Sequence, residues 1–211
     1  MIAIIDYGRG NLTSVANAFR KIGADAAVTS DAGNIAAADA VVLPGVGEFS
    51  DAMETLAASR LDEAVKNSIA AGKPFLGICL GYQMLFEYSQ EGGNILPGLA
   101  ILKGGVKRFP ESGGLKVPHI GWNRIEFRQP SPLFTGLPAA GAFMYFVHSY
   151  YPDPDDRSIV SAETEYGVRF ASAVTRGNVS GMQFHPEKSG DAGLLILRNF
   201  ADLMKIGGRK C

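Results

Sequence analysis

An α/β fold with a mixed central sheet and helices on both faces is what this sequence predicts, on three observations. Strand-like and helix-like segments alternate through roughly the first ninety residues, the pattern of a parallel sheet built by crossovers. From Leu99 to Val179 the pattern changes to short β-like runs punctuated by turn residues, which adds an antiparallel portion to that sheet. Between the two lies Gly77-Ile78-Cys79-Leu80-Gly81, where an apolar run meets a helix-like one in the manner of a nucleophile elbow.

Taken in order, Met1 to Asp6 reads as a strand and Leu12 to Ile22 as a helix stopped by Gly23. Asp25 to Thr29 is a second strand and Ala40 to Leu43 a third. Helices are expected at Phe49 to Ala58 and Leu61 to Ala71, the latter closed by Gly72 and Pro74. Within it, Asp62 and Glu63 precede Lys66 at helical spacing and mark a solvated face. Lys73-Pro74-Phe75-Leu76 leads as a buried strand into the elbow, and Tyr82 to Glu87 reads as the first turns of the helix beyond it. The later β-like runs are Gly105 to Phe109, Asn123 to Phe127, Ala142 to Val147, Ile159 to Ala162, Val168 to Val174 and Asn178 to Phe184. Turns are expected at Glu111-Ser112-Gly113-Gly114 and Asp153-Pro154-Asp155-Asp156. A closing helix, Ala192 to Met204, carries Leu195, Leu197, Phe200, Leu203 and Met204, several of them on one core-facing stripe. No repeat, low-complexity segment or linker divides the chain, so residues 1–211 are read as a single domain.

The elbow implies chemistry. A sharp strand-to-helix turn holds its central residue in a strained conformation, and small residues two before and two after relieve the crowding; Gly77 and Gly81 fill those places. A cysteine at a helix N-terminus meets unpaired N–H groups and a dipole that favour thiolate over thiol. Such a nucleophile needs a base and an orienting acid. Gly181-Met182-Gln183-Phe184-His185-Pro186-Glu187-Lys188 supplies both: His185 to carry a proton, and Glu187 to hold the imidazole in one tautomer, with Pro186 stiffening the spacing. Cys79, His185 and Glu187 are therefore the candidate triad. Acyl chemistry also needs an oxyanion hole. One donor is expected from the backbone N–H of Leu80 and another from the loop Pro44-Gly45-Val46-Gly47-Glu48, where glycine lets the backbone approach a substrate.

Composition narrows the partners. Twenty basic and 21 acidic residues leave a net charge of −1, with no electrostatic footprint for nucleic acid or an anionic membrane. The stretch Ile2 to Ile5 before Asp6 is too short for a signal peptide, and no apolar run approaches the roughly 18 residues that cross a bilayer. A soluble cytoplasmic protein is expected. Two cysteines make no disulfide framework; Cys211 ends a Gly207-Gly208-Arg209-Lys210 tail read as mobile, and free thiols suit a reducing compartment. No close ligand pair anchors a zinc site, so neither metal nor cofactor is expected.

The order of an elbow cysteine followed by a distant His-Pro-Glu resembles the class I, triad-type glutamine amidotransferases. More closely, the chain is similar to the glutaminase subunits of imidazole glycerol phosphate synthase, in histidine biosynthesis. The similarity runs over essentially the whole length. It rests on Ile5-Asp6-Tyr7-Gly8-Arg9-Gly10-Asn11-Leu12, Pro44-Gly45-Val46-Gly47, Gly77 to Gln83, Pro118-His119-Ile120-Gly121-Trp122-Asn123, Val147-His148-Ser149-Tyr150-Tyr151 and Gln183 to Ser189. Tyr82 departs from the Met or His that relatives often carry. The resemblance implies a three-layer, flavodoxin-like amidotransferase fold and L-glutamine as substrate. It implies Gly45, Val46 and Gly47 as an oxyanion strand that can sit unproductively until a partner is loaded. It also implies Gln83 and Glu91 as substrate-binding side chains, with the backbone of Ser149 and Tyr150 alongside. In that reading Glu91 suits an ammonium group and Gln83 can donate and accept. His148 is read as a loop-orienting residue and His119 as a structural or interface one.

Nothing in the chain handles released ammonia: there is no G-x-x-x-x-G-K-[ST] loop, and Gly8-Arg9-Gly10 lacks the third glycine of a dinucleotide fingerprint. A partner in trans is needed, and the resemblance implies a (β/α)8-barrel cyclase that makes imidazole glycerol phosphate and aminoimidazole carboxamide ribotide. Asn11, Trp122, Asn123 and Lys188 are the interface candidates. Asn11 and Lys188 follow strands and belong near the carboxyl ends of the sheet, where open α/β folds place their sites. The rival readings are the amidotransferase subunit of anthranilate or aminodeoxychorismate synthesis, a cysteine peptidase on a related elbow, and a non-enzymatic redox sensor. Tyr7 to Asn11, Pro118 to Asn123 and Glu187-Lys188-Ser189 favour the histidine pathway. A sensor thiol has no use for the late His-Pro-Glu.

Overall fold

The computed structural model describes residues 1–111 and 114–207. β1 (Ile2–Ile5) is buried along its whole length, as a parallel strand covered on both faces must be. α1 (Leu12–Lys21) starts at Asn11, whose side chain accepts from the Ser14 N–H at 3.3 Å; it carries Arg20 and Lys21 in its last turn, and Gly23 follows at φ 75°. After β2 (Ala26–Thr29) comes α2 (Ala32–Ala37), a short helix not anticipated from the sequence, capped by Asp31 on the Asn34 N–H at 2.7 Å. β3 (Ala40–Gly45) leads to α3 (Phe49–Ala58) and α4 (Leu61–Ala70), separated at Arg60, which takes φ 56°. β4 (Phe75–Cys79) then enters α5 (Leu80–Gln83). The remaining strands are β5 (Phe86–Ser89), β6 (Leu96–Pro97), β7 (Leu102–Arg108), β8 (His119–Phe127), β9 (Ala142–His148), β10 (Tyr150–Pro154), β11 (Val160–Tyr166), β12 (Val168–Arg176) and β13 (Val179–Met182). α6 (Gly190–Gly207) closes the fold.

Nine strands form one sheet in the order β2-β1-β3-β4-β13-β12-β11-β8-β9. It is parallel from β2 to β13 and antiparallel from β13 to β9. The parallel half follows the doubly wound, flavodoxin-like order. Strand alternation sorts side chains between two layers. Ile2, Ile4, Ala40, Val42, Leu76 and Ile78 share a core with Val15 and Phe19 of α1 and Ile196, Leu197 and Phe200 of α6. Ala3, Ile5, Val41, Leu43 and Phe75 point the other way, into a core with Ile35, Phe49, Leu56, Leu61 and Val65 of α2, α3 and α4. Each fully buried aliphatic or aromatic side chain contributes about 1.5–3 kcal/mol, so this sorting holds the three layers together.

Two expectations are corrected. The sequence predicts the elbow helix over Tyr82 to Glu87, but it is a single turn, and Phe86 and Glu87 belong to β5. The reason is competition for carbonyls: those of Met84, Leu85 and Phe86 accept from Leu99, Ile101, Leu102 and Ala100, so none is left to continue a helix. The sequence pattern also predicts Gly105 to Phe109 as part of the main sheet. Instead β7 lies in a separate four-stranded sheet, β10-β7-β5-β6, whose Phe86, Leu102 and Val106 join the core of α2 to α4. The expected turn at 111–114 and the Gly207–Cys211 tail fall partly outside the described residues, Cys211 wholly so.

Candidate active site

β4 ends on Cys79, held at φ 55° and ψ −110°, a conformation that costs a non-glycine residue on the order of 1–3 kcal/mol. Close packing explains the flanking glycines. A Cβ on Gly81 would lie 1.8 Å from the Leu43 carbonyl oxygen, and one on Gly77 would lie 2.8 Å from the Gly81 carbonyl oxygen. Tyr82, fully buried, fills the space beneath the turn: a Cβ on Gly181 would come 2.1 Å from its ring. Because α5 is one turn long, the dipole behind Cys79 is confined to a few N–H groups, and the charged partner in reach is His185.

His185 enters from the chain beyond β13, which β12 and β4 hold in the middle of the sheet. The His185 N–H donates to the Tyr145 carbonyl at 2.9 Å, while Ser189 Oγ donates to the His185 carbonyl at 2.6 Å and accepts from the Tyr145 N–H at 2.9 Å. Pro186 begins a 3₁₀ turn that brings Glu187 back under the ring. His185 Nδ1 lies 2.7 Å from Glu187 Oε1, and both side chains are buried. Nε2 has no hydrogen-bond partner and is the nitrogen left for exchange. Burial works to lower the His185 pKa, but the nearby Cys79 charge and then Glu187 outweigh it and raise it to about 10.

Cys79 and His185 border one cleft of about 340 Å³, within the range of small-molecule sites. Leu80, Val46 and Gly47 of the expected oxyanion set border it, as do Gln83, Glu91, Ser149, Tyr150, Pro118, Val147 and His148. Gly45 does not. It pairs with Cys79 across β3 and β4, and a Cβ there would meet Tyr7 Oη at 2.7 Å and Gly81 N at 2.8 Å, so its smallness serves the elbow. That Tyr7 hydroxyl is buried without a hydrogen-bond partner.

The substrate-side residues carry less free capacity than expected. Both hydrogens of the Gln83 amide are engaged, one with the Tyr150 carbonyl at 2.9 Å and one with Gln183 Oε1 at 3.0 Å, leaving its oxygen for a ligand. One oxygen of Glu91 accepts from the Phe49 N–H at 2.5 Å, at the start of α3. Burial raises the Glu91 pKa, with Glu48 and Asp51 adding to it against that hydrogen bond. Gln183, which sequence reasoning did not single out, is fully buried and donates to Cys79 Sγ at 3.7 Å, so it links the nucleophile to Gln83. Its place inside the Gln183-to-Ser189 motif was the available signal.

The four interface candidates separate. Trp122 is 57 % exposed and not a core aromatic; it shares the outer face of β8 and β9 with exposed Ile120 and Phe143. Lys188 is exposed at the rim of the cleft with its Nζ 5.9 Å from the Tyr145 ring centroid, and it forms no ion pair among the described residues. Asn11, exposed, caps α1 through its Oδ1, which leaves its amide N–H groups without a partner among the described residues. Asn123 turns its amide inward, to the Glu165 carbonyl and His119, and so offers no free amide N–H to a partner.

Residues 3–203 match the glutamine amidotransferase class-I family. The chain is 51 % identical over 207 residues to the imidazole glycerol phosphate synthase subunit HisH of Moorella thermoacetica, covering 98 % of this chain and 97 % of that one. The HisH subunit of Methanothermobacter thermautotrophicus is 53 % identical over 205 residues, covering 97 % and 100 %. A solved glutamine amidotransferase structure superposes with a TM-score of 0.75 at 19 % identity, over 97 % of this chain and 100 % of that one. The PurLQS structure from Thermotoga maritima gives 0.75 at 17 %, over 96 % and 98 %; at such identity these two speak to the fold alone. With the family pattern spanning nearly the whole sequence and relatives identical at about half its positions, the chain belongs to the class-I glutamine amidotransferases.

Proposed function

We propose that this chain is the glutamine-hydrolysing subunit of an imidazole glycerol phosphate synthase, with Cys79, His185 and Glu187 as its triad. The observation that carries the triad is the strained Cys79 bordering the same cleft as a His185 whose Nδ1 is fixed on Glu187 and whose Nε2 is free. In the reaction, Cys79 Sγ attacks the side-chain amide carbon of glutamine. The oxyanion forms against backbone N–H groups of Leu80 and the Val46–Gly47 loop. His185, positively charged in the resting site, gives its Nε2 proton to the departing nitrogen, and the C–N bond breaks to leave ammonia and a glutamyl thioester. The now neutral His185 takes a proton from water, whose oxygen attacks the thioester; the C–S bond breaks, the sulfur leaves as thiolate, glutamate departs and the site is ready for another turnover. Glu187 keeps the imidazole in one orientation through both halves.

The walls of the cleft support glutamine as the substrate. The Gln83 oxygen and the uncapped side of Glu91 can receive its ammonium, and the Ser149–Tyr150 backbone lines the cleft beside Gln83. The ammonia goes to a synthase subunit in trans, which we take to be the (β/α)8 cyclase docked over exposed Trp122 and Lys188, beside the cleft. No helix among the described residues is long and apolar enough to cross a membrane. The free buried Cys79 fits the reducing compartment of a cytoplasmic enzyme, and we take residues 1–211 as one amidotransferase domain.

The test is glutamate release by the chain alone and with the cyclase and its ligand, together with trapping of the thioester by a glutamine-like diazo ketone. Acceleration by the loaded partner and labelling at Cys79 are expected. Labelling elsewhere, or full activity indifferent to the partner, would overturn the reading. An anthranilate-type synthase subunit that couples better than the cyclase would redirect it.

A further inference from the structure

Two buried histidines, His119 and His148, take no part in the chemistry above, yet they are hydrogen-bonded in series toward the cleft. His148 Nδ1 lies 2.8 Å from the Tyr150 carbonyl, His119 Nδ1 lies 3.0 Å from His148 Nε2, and Asn123 Nδ2 lies 3.3 Å from His119 Nε2. The direction of every bond follows from one end. A carbonyl only accepts, so His148 Nδ1 carries hydrogen; in a neutral ring its Nε2 then accepts, which puts the hydrogen of His119 on Nδ1. His119 Nε2 therefore accepts from Asn123. The Asn123 amide is fixed independently, because Nδ2 donates to the Glu165 carbonyl at 2.9 Å and Oδ1 accepts from the Arg124 N–H at 2.7 Å. No bond in the series conflicts with another.

The inner end is the Tyr150 carbonyl, which also accepts from Gln83. That carbonyl begins β10 and belongs to the wall where glutamine is expected. The rings are clamped by packing: His119 stacks on Tyr166 at 3.9 Å and on Phe146 at 4.9 Å between centroids, and both histidines contact Phe109 and Phe170.

We propose that His119 and His148 are positioning residues of the glutamine site: as a tautomer-locked relay they fix the Tyr150 carbonyl, and through it Gln83 and the Ser149–Tyr150 wall. The assignment rests on glutamine being the ligand of this cleft. Burial supports it by holding the His119 pKa down to about 4 and that of His148 down to about 3, the latter with help from the charges of His119 and His185 and against the Tyr150 hydrogen bond. At neutral pH both rings stay uncharged, as the relay requires.

The experiment uses the chain reconstituted with its cyclase subunit. His148→Phe keeps a ring of similar size but has no donor; His148→Asn keeps a donor where Nδ1 stood. The expected result is a rise of about tenfold in KM for glutamine in the phenylalanine variant with a much smaller fall in kcat, and KM returning to within about threefold of wild type in the asparagine variant. Separately, nitrogen-15 correlation spectra of the wild-type histidine rings are expected to place hydrogen on Nδ1 in both His119 and His148, the minority form of free histidine. Equal KM values in the two variants would assign His148 to packing alone, and hydrogen on Nε2 of either ring would break the relay. The spectra need no turnover, so they judge the relay even if a variant fails to fold or the substrate proves to be another amide.

Discussion

The buried histidine pair gives the isolated chain an acid sensitivity with a defined slope. His119 and His148 have ordinary values near 6.5 and are held at about 4 and about 3 in the fold, chiefly by burial. A lowered folded-state pKa means stability that is present above the unfolded value and lost as pH falls toward the folded one. Between about pH 5 and 6 each histidine is protonated in the unfolded chain and neutral in the folded one. Each then adds about 1 kcal/mol per pH unit to the slope of unfolding free energy, close to the limit of about 1.4 for one whole proton. The groups facing the pair are the rings of Phe109, Phe146, Tyr166 and Phe170, the Asn123 amide and the Tyr150 carbonyl, with His185 the charge that acts on His148. His185 drops out of this window: raised to about 10, it is protonated in both states below pH 6, and its own contribution is lost only as pH climbs from about 6.5 through 10. The assay is urea unfolding by circular dichroism at half-unit steps from about pH 5 to 6.5, on the wild type, His148→Phe and His119→Phe. Each variant is expected to flatten the slope by about 1 kcal/mol per pH unit, whatever its offset in absolute stability. Slopes that match wild type would refute the claim that these rings are buried neutral.

Further predictions concern the site and its frame. Cys79→Ala is expected to release no glutamate while keeping the fold, and Glu187→Gln to lose about 10²- to 10⁴-fold in kcat with His185→Ala at least as impaired, read by a coupled glutamate assay. Gln183→Leu removes a donor to Cys79 Sγ and the acceptor of Gln83; a fall of about tenfold in kcat is expected, and wild-type kinetics would count against that network. Gly81→Ala forces a Cβ to 1.8 Å from the Leu43 carbonyl and is expected to cost at least about 3 kcal/mol in urea unfolding. Gly72→Ala, strained at φ 77° but in open space, is expected to cost about 1 kcal/mol. Trp122→Ala is expected to leave the stability of the chain within about 0.5 kcal/mol and weaken cyclase binding at least about 30-fold by calorimetry, since an exposed tryptophan is worth most at an interface.

What the sequence determined by itself is what a few neighbouring residues can enforce. Gly77 and Gly81 around Cys79 describe a turn whose sterics are local, and His185-Pro186-Glu187 brings its own imidazole and carboxylate together within one 3₁₀ turn. The alternation of strands and helices up to Cys79 was likewise legible, because buried parallel strands and amphipathic helices repeat with different periods. Tertiary structure decided the rest, wherever a group had a choice of partners. Residues 84–86 carry helix-compatible side chains, but residues 99–102 claim their carbonyls, so the helix stops and the chain enters a second sheet at Phe86. Gln183 reaches Cys79 across 104 residues of chain only because β13 pairs with β4, and no local pattern announces that register. Gln83 and Glu91 look like free polar groups in sequence; folding engages the Gln83 amide and one oxygen of Glu91. The direction of the His119–His148 relay depends on a carbonyl, an amide and two rings from separate segments meeting in one place, where each hydrogen bond leaves the next only one way to form.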